Sequence, residues 1–316
     1  MASEPSATGV LVEKNVLGRS LRYCSLRVTA QDGVSLAVQD WAPDRVGREV
    51  DIVLLHGFSQ AHGAWLHQVS GTLAKQFRLV TYDIRGHGDS DKPADAAYYR
   101  DGQRWADEVK AVIEQARLRM PVLLAWSYAG RIVLDYLTAY GDRAVSGLIM
   151  VNATSNGIPG MLGPAVARLR QMTSADPAVA HEGTLALLRA CVAKPPLPSE
   201  LEYMLRYNEQ VPPHIRAHLA GRPANYEATL RALRIPTLVV HGLKDPVTLP
   251  AMSAYTLAQV PRSQSLVYEN AAHMPFWEEP ERFDDDVGQF IRDKVLNQHC
   301  GHRKPGHGVD ASTKVV

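Results

Sequence analysis

Cysteine is the scarcest chemistry in this chain. Cys24, Cys191 and Cys300 are odd in number and far apart, which fits neither a disulfide framework nor a zinc-ligand pattern and points to a reducing compartment. Charge of one sign is missing too: 34 basic residues balance 33 acidic ones to a net +1, with no Lys/Arg run. A nucleic-acid backbone therefore finds no electrostatic partner. No apolar run approaches the ~18 residues that a membrane-spanning helix needs. The opening "MASEPSATGV" lacks a basic stretch followed by an apolar one, so no export signal is expected and the cytoplasm is the expected location. What remains, 46% hydrophobic and 21% charged, is ordinary globular composition. The length suits one α/β domain with an insertion.

Residues 1–18 are small and polar and are expected to form a mobile N-terminus. Two strand-like segments follow, "LRYCSLRVTA" and "VSLAVQDWAP", joined by a hairpin turn at "QDG". The pattern then changes to short Val/Leu/Ile-rich runs: "DIVLLHG", "FRLVTYD", "MPVLLAWS", "VSGLIMVN", "PTLVVHG" and "SQSLVYE". They lack strict alternation, as strands covered on both faces do. Helix-period stretches separate most of them. In "RWADEVKAVIEQARL" the residues Trp105, Val109, Val112, Ile113 and Ala116 share one helix face, and "YAGRIVLDYLTAY" and "PERFDDDVGQFIRDKVL" read the same way. Alternating strands and helices predict a mostly parallel sheet with helices on both faces.

That alternation breaks once. About eighty residues between Asn152 and Pro236 contain helical pieces punctuated by "KPPLPSE" and "VPPH" but no convincing strand. A structureless loop of that length is rare, so 155–234 is expected to be a helical cap on a core of 19–154 and 235–297. The tail 298–316 is expected to be flexible. Its His299, Cys300, His302 and His307 read as a frayed end before they read as a metal site.

Ser127, in "PVLLAWSYAG", stands where a strand turns into a helix. Ligands and catalytic groups of open α/β sheets gather at such carboxyl ends. Ala125, Ala129 and Gly130 supply the small residues that a sharp strand–turn–helix needs. Taken alone, Ser127 is equally a helix N-cap. A nucleophilic serine also needs a base, a group that orients the base, and an oxyanion hole. Later strands supply candidates at the same edge: Asp245 in "TLVVHGLKDP" and His273 in "SLVYENAAHMPFWEEP". Backbone N–H groups of Tyr128, next to the serine, and Phe58, in "LLHGFSQ", are the expected oxyanion donors. Four pieces at four strand ends make Ser127 a nucleophile.

With those pieces in place the chain resembles the α/β-hydrolase fold family, from about Leu21 to Leu296. The resemblance rests on "HGFSQ" at 56–60, "YDIRGHGDSD" at 82–91, "AWSYAG" at 125–130, "HGLKDP" at 241–246 and "AAHMPFWEEPE" at 271–281. The order Ser…Asp…His is the family's. It implies an eight-stranded, mostly parallel sheet with a helical cap after the sixth strand. It also implies cofactor-free chemistry of the esterase, lactonase, carbon–carbon hydrolase or haloperoxidase-like kind. Two departures stand out: alanine replaces the usual glycine on either side of the elbow, at Ala125 and Ala129, and Ala272 replaces the one before the histidine. Relatives that dehalogenate alkanes or open epoxides carry aspartate at the elbow, so Ser127 argues against those reactions. Some relatives place the acid after the sixth strand, where this chain has Asn152.

Other residues have plainer readings. His56 is expected to support the oxyanion loop; Asp83, Arg85, His87 and Asp89 to form a hydrogen-bonded loop; His62 and His67 to be solvated. Trp126, Met161 and Met274 are the substrate-pocket candidates, with Phe58 and Tyr128 beside them. The segment 155–234 carries nine basic and six acidic residues, a net +3 that suits an anionic substrate or simply solvated helix faces. The expectation is a serine hydrolase of a small ester or lactone, with Ser127, His273 and Asp245 catalytic and no metal or organic cofactor. Its partner would be a small-molecule substrate, not nucleic acid or a membrane. Carbon–carbon hydrolysis of a vinylogous diketone, lyase or perhydrolase chemistry, and a ligand receptor are the alternatives.

Overall fold

The structure is a computed structural model that describes residues 9–41 and 50–297. Its strands are β1 (Val10–Val16), β2 (Arg19–Thr29), β3 (Ser35–Asp40), β4 (Asp51–Leu55), β5 (Arg78–Tyr82), β6 (Val122–Trp126), β7 (Gly147–Val151), β8 (Thr237–Gly242) and β9 (Ser263–Tyr268). All nine join one sheet in the order β1-β2-β3-β5-β4-β6-β7-β8-β9. From β5 to β9 the pairs are parallel, while β1, β2 and β3 add on antiparallel at one edge. The six apolar runs became the six parallel strands: β4 to β8 are covered on both faces, while β9, at the open edge of the sheet, is largely exposed. In β4, Ile52 and Leu54 pack into one apolar layer, and Val53 and Leu55 into the other.

The expected eight strands are nine, and the expected mobile N-terminus is in part a strand. Val10–Val16 pairs with β2 along its whole length, from Val10 opposite Ser25 to Val16 opposite Arg19. The hairpin turns on Leu17 and Gly18, both at positive φ (48° and 77°), as a two-residue turn of the right twist requires. Half-buried Val12, Lys14 and Val16 alternate with exposed Leu11, Glu13 and Asn15. Most of it faces solvent, which is why it read as a polar tail. The expectations for 1–8 and for the tail 298–316, with its His299, Cys300, His302 and His307, lie outside the described residues.

Helices Gly102–Gln115 and Ala129–Tyr140 cover one face, and Pro280–Phe290 covers the other. Trp105, Val109 and Val112 of the first are fully buried, as their spacing predicts. Between β7 and β8 the described chain holds helices and no named strand: Ala167–Met172, Pro177–Ala190, Pro198–Glu209, Pro213–Leu219 and Glu227–Ala232, after a short 3-10 turn. Three of these open on proline, where a missing N–H costs nothing and the fixed φ suits a helix. The buried Arg216 ties them together by donating to the carbonyls of Met172 (3.1 Å) and Asn208 (2.6 Å). Among the described residues no helix is long and apolar enough to cross a membrane.

Candidate active site

Strand β6 delivers Ser127 to the carboxyl edge of the sheet, and helix Ala129–Tyr140 leaves from it two residues later. Between them the backbone makes a turn that L-residues resist: Ser127 has φ 58°. A non-glycine residue there stores on the order of 1–3 kcal/mol and persists only where surroundings enforce it. The enforcement is visible at its carbonyl, which accepts from the N–H groups of Gly130 and Thr154 and from the Thr154 hydroxyl, each at 3.0 Å. The serine N–H in turn donates to the Val151 carbonyl at 3.0 Å. Ala125 and Ala129 are fully buried, so the small side chains are used as the sequence implied.

The ends of β8 and β9 bring Asp245 and His273 together. Gly242 makes this possible: a Cβ there would lie 2.0 Å from the Ala272 carbonyl oxygen, so only glycine lets the two loops touch. His273 Nδ1 and Asp245 Oδ2 are 2.7 Å apart. The same carboxylate oxygen accepts from the Asn152 amide at 2.7 Å, and Oδ1 accepts from the N–H groups of Val247 (2.7 Å) and Thr248 (3.1 Å). Burial alone would raise the Asp245 pKa, but the His273 ring and these donors hold it below the ordinary value. The ionised carboxylate thus fixes a proton on Nδ1 and leaves Nε2 as the basic nitrogen. The histidine's own backbone is pinned as well. Its N–H donates to the Cys191 carbonyl (3.0 Å), and its carbonyl accepts from the Trp126 indole (2.8 Å). Glu278 accepts from the N–H groups of Ala272 (2.7 Å) and Ala193 (2.6 Å), clamping the histidine loop to the helical insertion.

Gly57 packs directly against the serine. A Cβ there would sit 3.0 Å from Ser127 Cβ and 3.4 Å from its Oγ. The adjoining N–H of Phe58, like that of Tyr128, donates no hydrogen bond among the described residues. Two buried histidines hold this loop. Ile84 N–H donates to His56 Nε2 (3.2 Å), so Nδ1 carries the proton and donates to the Gly57 carbonyl (2.9 Å). Ser59 N–H donates to His87 Nε2 (3.1 Å), and His87 Nδ1 donates to the Arg85 carbonyl (2.9 Å). Both rings are therefore neutral, and burial pushes their pKa values down to about 4 and about 3. Below pH 6.5 the unfolded chain binds protons that these rings refuse. Their contribution is present above pH 6.5 and is lost as pH falls to about 4, on the order of 3 kcal/mol each. Denaturant titrations from pH 7 to pH 4 should show a shallower loss for His87→Gln than for wild type; equal slopes would contradict the assignment.

Ser127, His273, Phe58, Tyr128, Trp126 and Gly57 all line one cavity of about 420 Å³. Ser127 and His273 share no hydrogen bond in the structure; bonds of this kind commonly tighten only in the complex with substrate. Helices of the insertion supply other walls, among them Leu169, Leu187 and Leu219. Cys191 also reaches the cavity, but burial pushes its thiol up, which disqualifies it as a nucleophile. Two of the expected pocket residues are elsewhere. Met274 is fully buried in the apolar layer and Met161 sits in the loop paired with Leu249, so neither lines the cavity. Hydrophobicity near a candidate site residue in sequence does not set which way a side chain points. His62 and His67 are not solvated either: His62 Nδ1 is 3.1 Å from Asp83, and Arg19 Nη2 is 3.0 Å from His67 Nδ1. Asp83, Arg85, His87 and Asp89 do form a bonded loop, with Asp89 N–H on Asp83 and Arg85 on Glu108 (2.7 Å). Among the described residues no group of His, Cys, Asp or Glu is arranged to hold a metal ion.

Sequence reasoning noticed Asn152 only as a missing acid, and overlooked Arg131 altogether. Asn152 has φ 43°, a conformation asparagine tolerates better than most residues, and its Oδ1 accepts from Gly242 N–H at 3.3 Å. A polar residue directly after a parallel strand was the available signal.

Comparison with known proteins agrees with this geometry. The sequence model of the alpha/beta hydrolase fold matches residues 52–280. A Burkholderia cenocepacia protein assigned as an aryl esterase is 33% identical, with 85% of this chain and 98% of that one covered and a TM-score of 0.81. The esterase RhEst1 from Rhodococcus sp. ECU1013 is 32% identical, with 85% and 99% covered and a TM-score of 0.78. The 2-hydroxymuconate semialdehyde hydrolase of Pseudomonas sp. strain CF600 is 27% identical over 78% of this chain and 88% of its own. Fold, strand-end chemistry and sequence converge: the chain belongs to the alpha/beta hydrolase fold family.

Proposed function

We propose that the protein is a serine hydrolase that cleaves a small carboxylic ester or lactone through an acyl-enzyme. The observation that carries this reading is Ser127, held at φ 58° on the wall of an apolar cavity that the Asp245-bound His273 also lines. His273 Nε2 takes the serine proton as Oγ attacks the carbonyl carbon. The N–H groups of Phe58 and Tyr128 receive the oxyanion, each worth about 3 kcal/mol in such sites. The protonated ring gives its proton to the leaving alcohol, and the same ring then activates water to release the acid. Asp245 stabilises the imidazolium formed in both halves. The insertion acts as a cap that shapes the cavity and shields it from bulk water.

Similarity to two esterase structures supports the ester reading. Similarity to 2-hydroxymuconate semialdehyde hydrolase favours a second one, carbon–carbon hydrolysis of a vinylogous diketone by the same three residues. A panel of short aryl esters, lactones and such diketones separates them. We expect ester turnover with a pre-steady-state burst of alcohol, one equivalent per chain. Turnover confined to the diketones would move the assignment to the second reading.

Asn152 acts in this scheme through Asp245. Asn152→Gly keeps the backbone comfortable at positive φ while removing the amide from the carboxylate. A hydrogen bond to a charged group is worth about 1.5–3 kcal/mol, so kcat should fall about 10- to 100-fold with KM little changed. A rise in KM alone would place Asn152 in substrate binding instead.

A further inference from the structure

The cavity wall is asymmetric in charge. Arg131 and Arg170 line it, and among the described residues no aspartate or glutamate does. Neither arginine forms a salt bridge among the described residues. Arg131 lies one helical turn beyond Ser127, on the helix that starts at the nucleophile. It is half-buried, with its guanidinium carbon 5.6 Å from the Tyr128 ring centroid. Nη1 donates to the Arg222 carbonyl at 2.8 Å, and Nε has no partner. The nearest acid on this helix is already engaged: Asp135 holds the Arg222 guanidinium and accepts from the Tyr226 hydroxyl at 2.8 Å. Asp135 is thus committed to Arg222, and the half-buried Arg131 is left without a carboxylate of its own. Arg170 is exposed at the insertion side of the cavity, where a second positive charge can draw in an anion.

A cation withdrawn from water is costly unless paired, so a half-buried guanidinium with no carboxylate beside it gains from a ligand anion at the cavity wall. Resting on the serine-hydrolase reading above, we propose that the substrate carries a free carboxylate, seated by Arg131 and steered by Arg170, so that the preferred ester is a hemiester of a dicarboxylic acid. The apolar walls take the chain between the carboxylate and the ester carbonyl.

The test compares kcat/KM for mono-p-nitrophenyl glutarate with that for p-nitrophenyl valerate, its uncharged analogue of like length. Wild type should favour the hemiester at least about 30-fold, the scale expected for one buried charge pair. The ratio should fall towards one in Arg131→Gln and recover in part in Arg131→Lys. Equal loss on both substrates would mean that Arg131 serves only the helix, and overturns the proposal. A wild-type ratio near one overturns it as well. A second measurement needs neither turnover nor a change at Arg131: calorimetric binding of glutarate to Ser127→Ala protein, against neutral glutaramide. Glutarate should bind more tightly, with the margin narrowing as salt rises. No preference for glutarate sinks the carboxylate site even if the esterase reading stands. Absent ester turnover with preferential glutarate binding sinks that reading and leaves the site.

Discussion

Replacing Ser127 with alanine should lower kcat on every accepted ester by about 10⁶-fold, since a triad loses nearly all of its effect when its nucleophile is removed. The fold should survive the change. What fastens the turn is the Ser127 backbone, through its carbonyl to Gly130 and Thr154 and its N–H to Val151, and alanine keeps all of these. Circular dichroism and thermal unfolding of Ser127→Ala should therefore resemble wild type while turnover disappears. Wild-type rates from the purified variant would remove the serine from the chemistry.

Asp245→Asn should lower kcat by about 10⁴-fold, the scale expected when the base is left in the wrong tautomer. The surroundings dictate which way the new amide points. Val247 and Thr248 present N–H groups to Oδ1, so the NH₂ cannot go there. It must take the place of Oδ2, where it meets both the Asn152 NH₂ and His273 Nδ1. Asn152 cannot turn over to receive it without giving up Gly242 N–H, which its Oδ1 accepts. The new amide therefore donates to Nδ1, moves the ring proton to Nε2, and leaves no base facing the serine. A loss of only a few-fold would point to a different acid.

The parallel strands β4 to β8 were legible because double-sided burial leaves uninterrupted apolar runs, and β9, though largely exposed at the sheet edge, kept its Leu266-Val267-Tyr268 run. Strand β1 was not, since an edge strand with one wet face carries little apolar signal. Ser127, Asp245 and His273 could be read because each follows a recognisable strand and shares its edge. The cavity's far walls could not. They come from insertion helices whose packing is set by contacts remote in sequence, such as Arg216 on Met172 and Asn208. Met161 and Met274 do not line the cavity because nearness to it along the chain does not set which way a side chain points. Arg131 was hidden because an arginine in the first turn of a helix usually faces water, and only the three-dimensional arrangement puts it beside Tyr128 and the cavity.

Everything proposed for this enzyme depends on one hydroxyl being activated by an imidazole from a remote part of the chain that shares its edge of the sheet. The most direct measurement is reaction with an aryl phosphonate followed by peptide mapping of the adduct, in wild type and in His273→Ala. A single phosphonyl group on Ser127, formed far more slowly without the imidazole, is the predicted result. An adduct on another residue, or equal labelling rates in the two proteins, would contradict it.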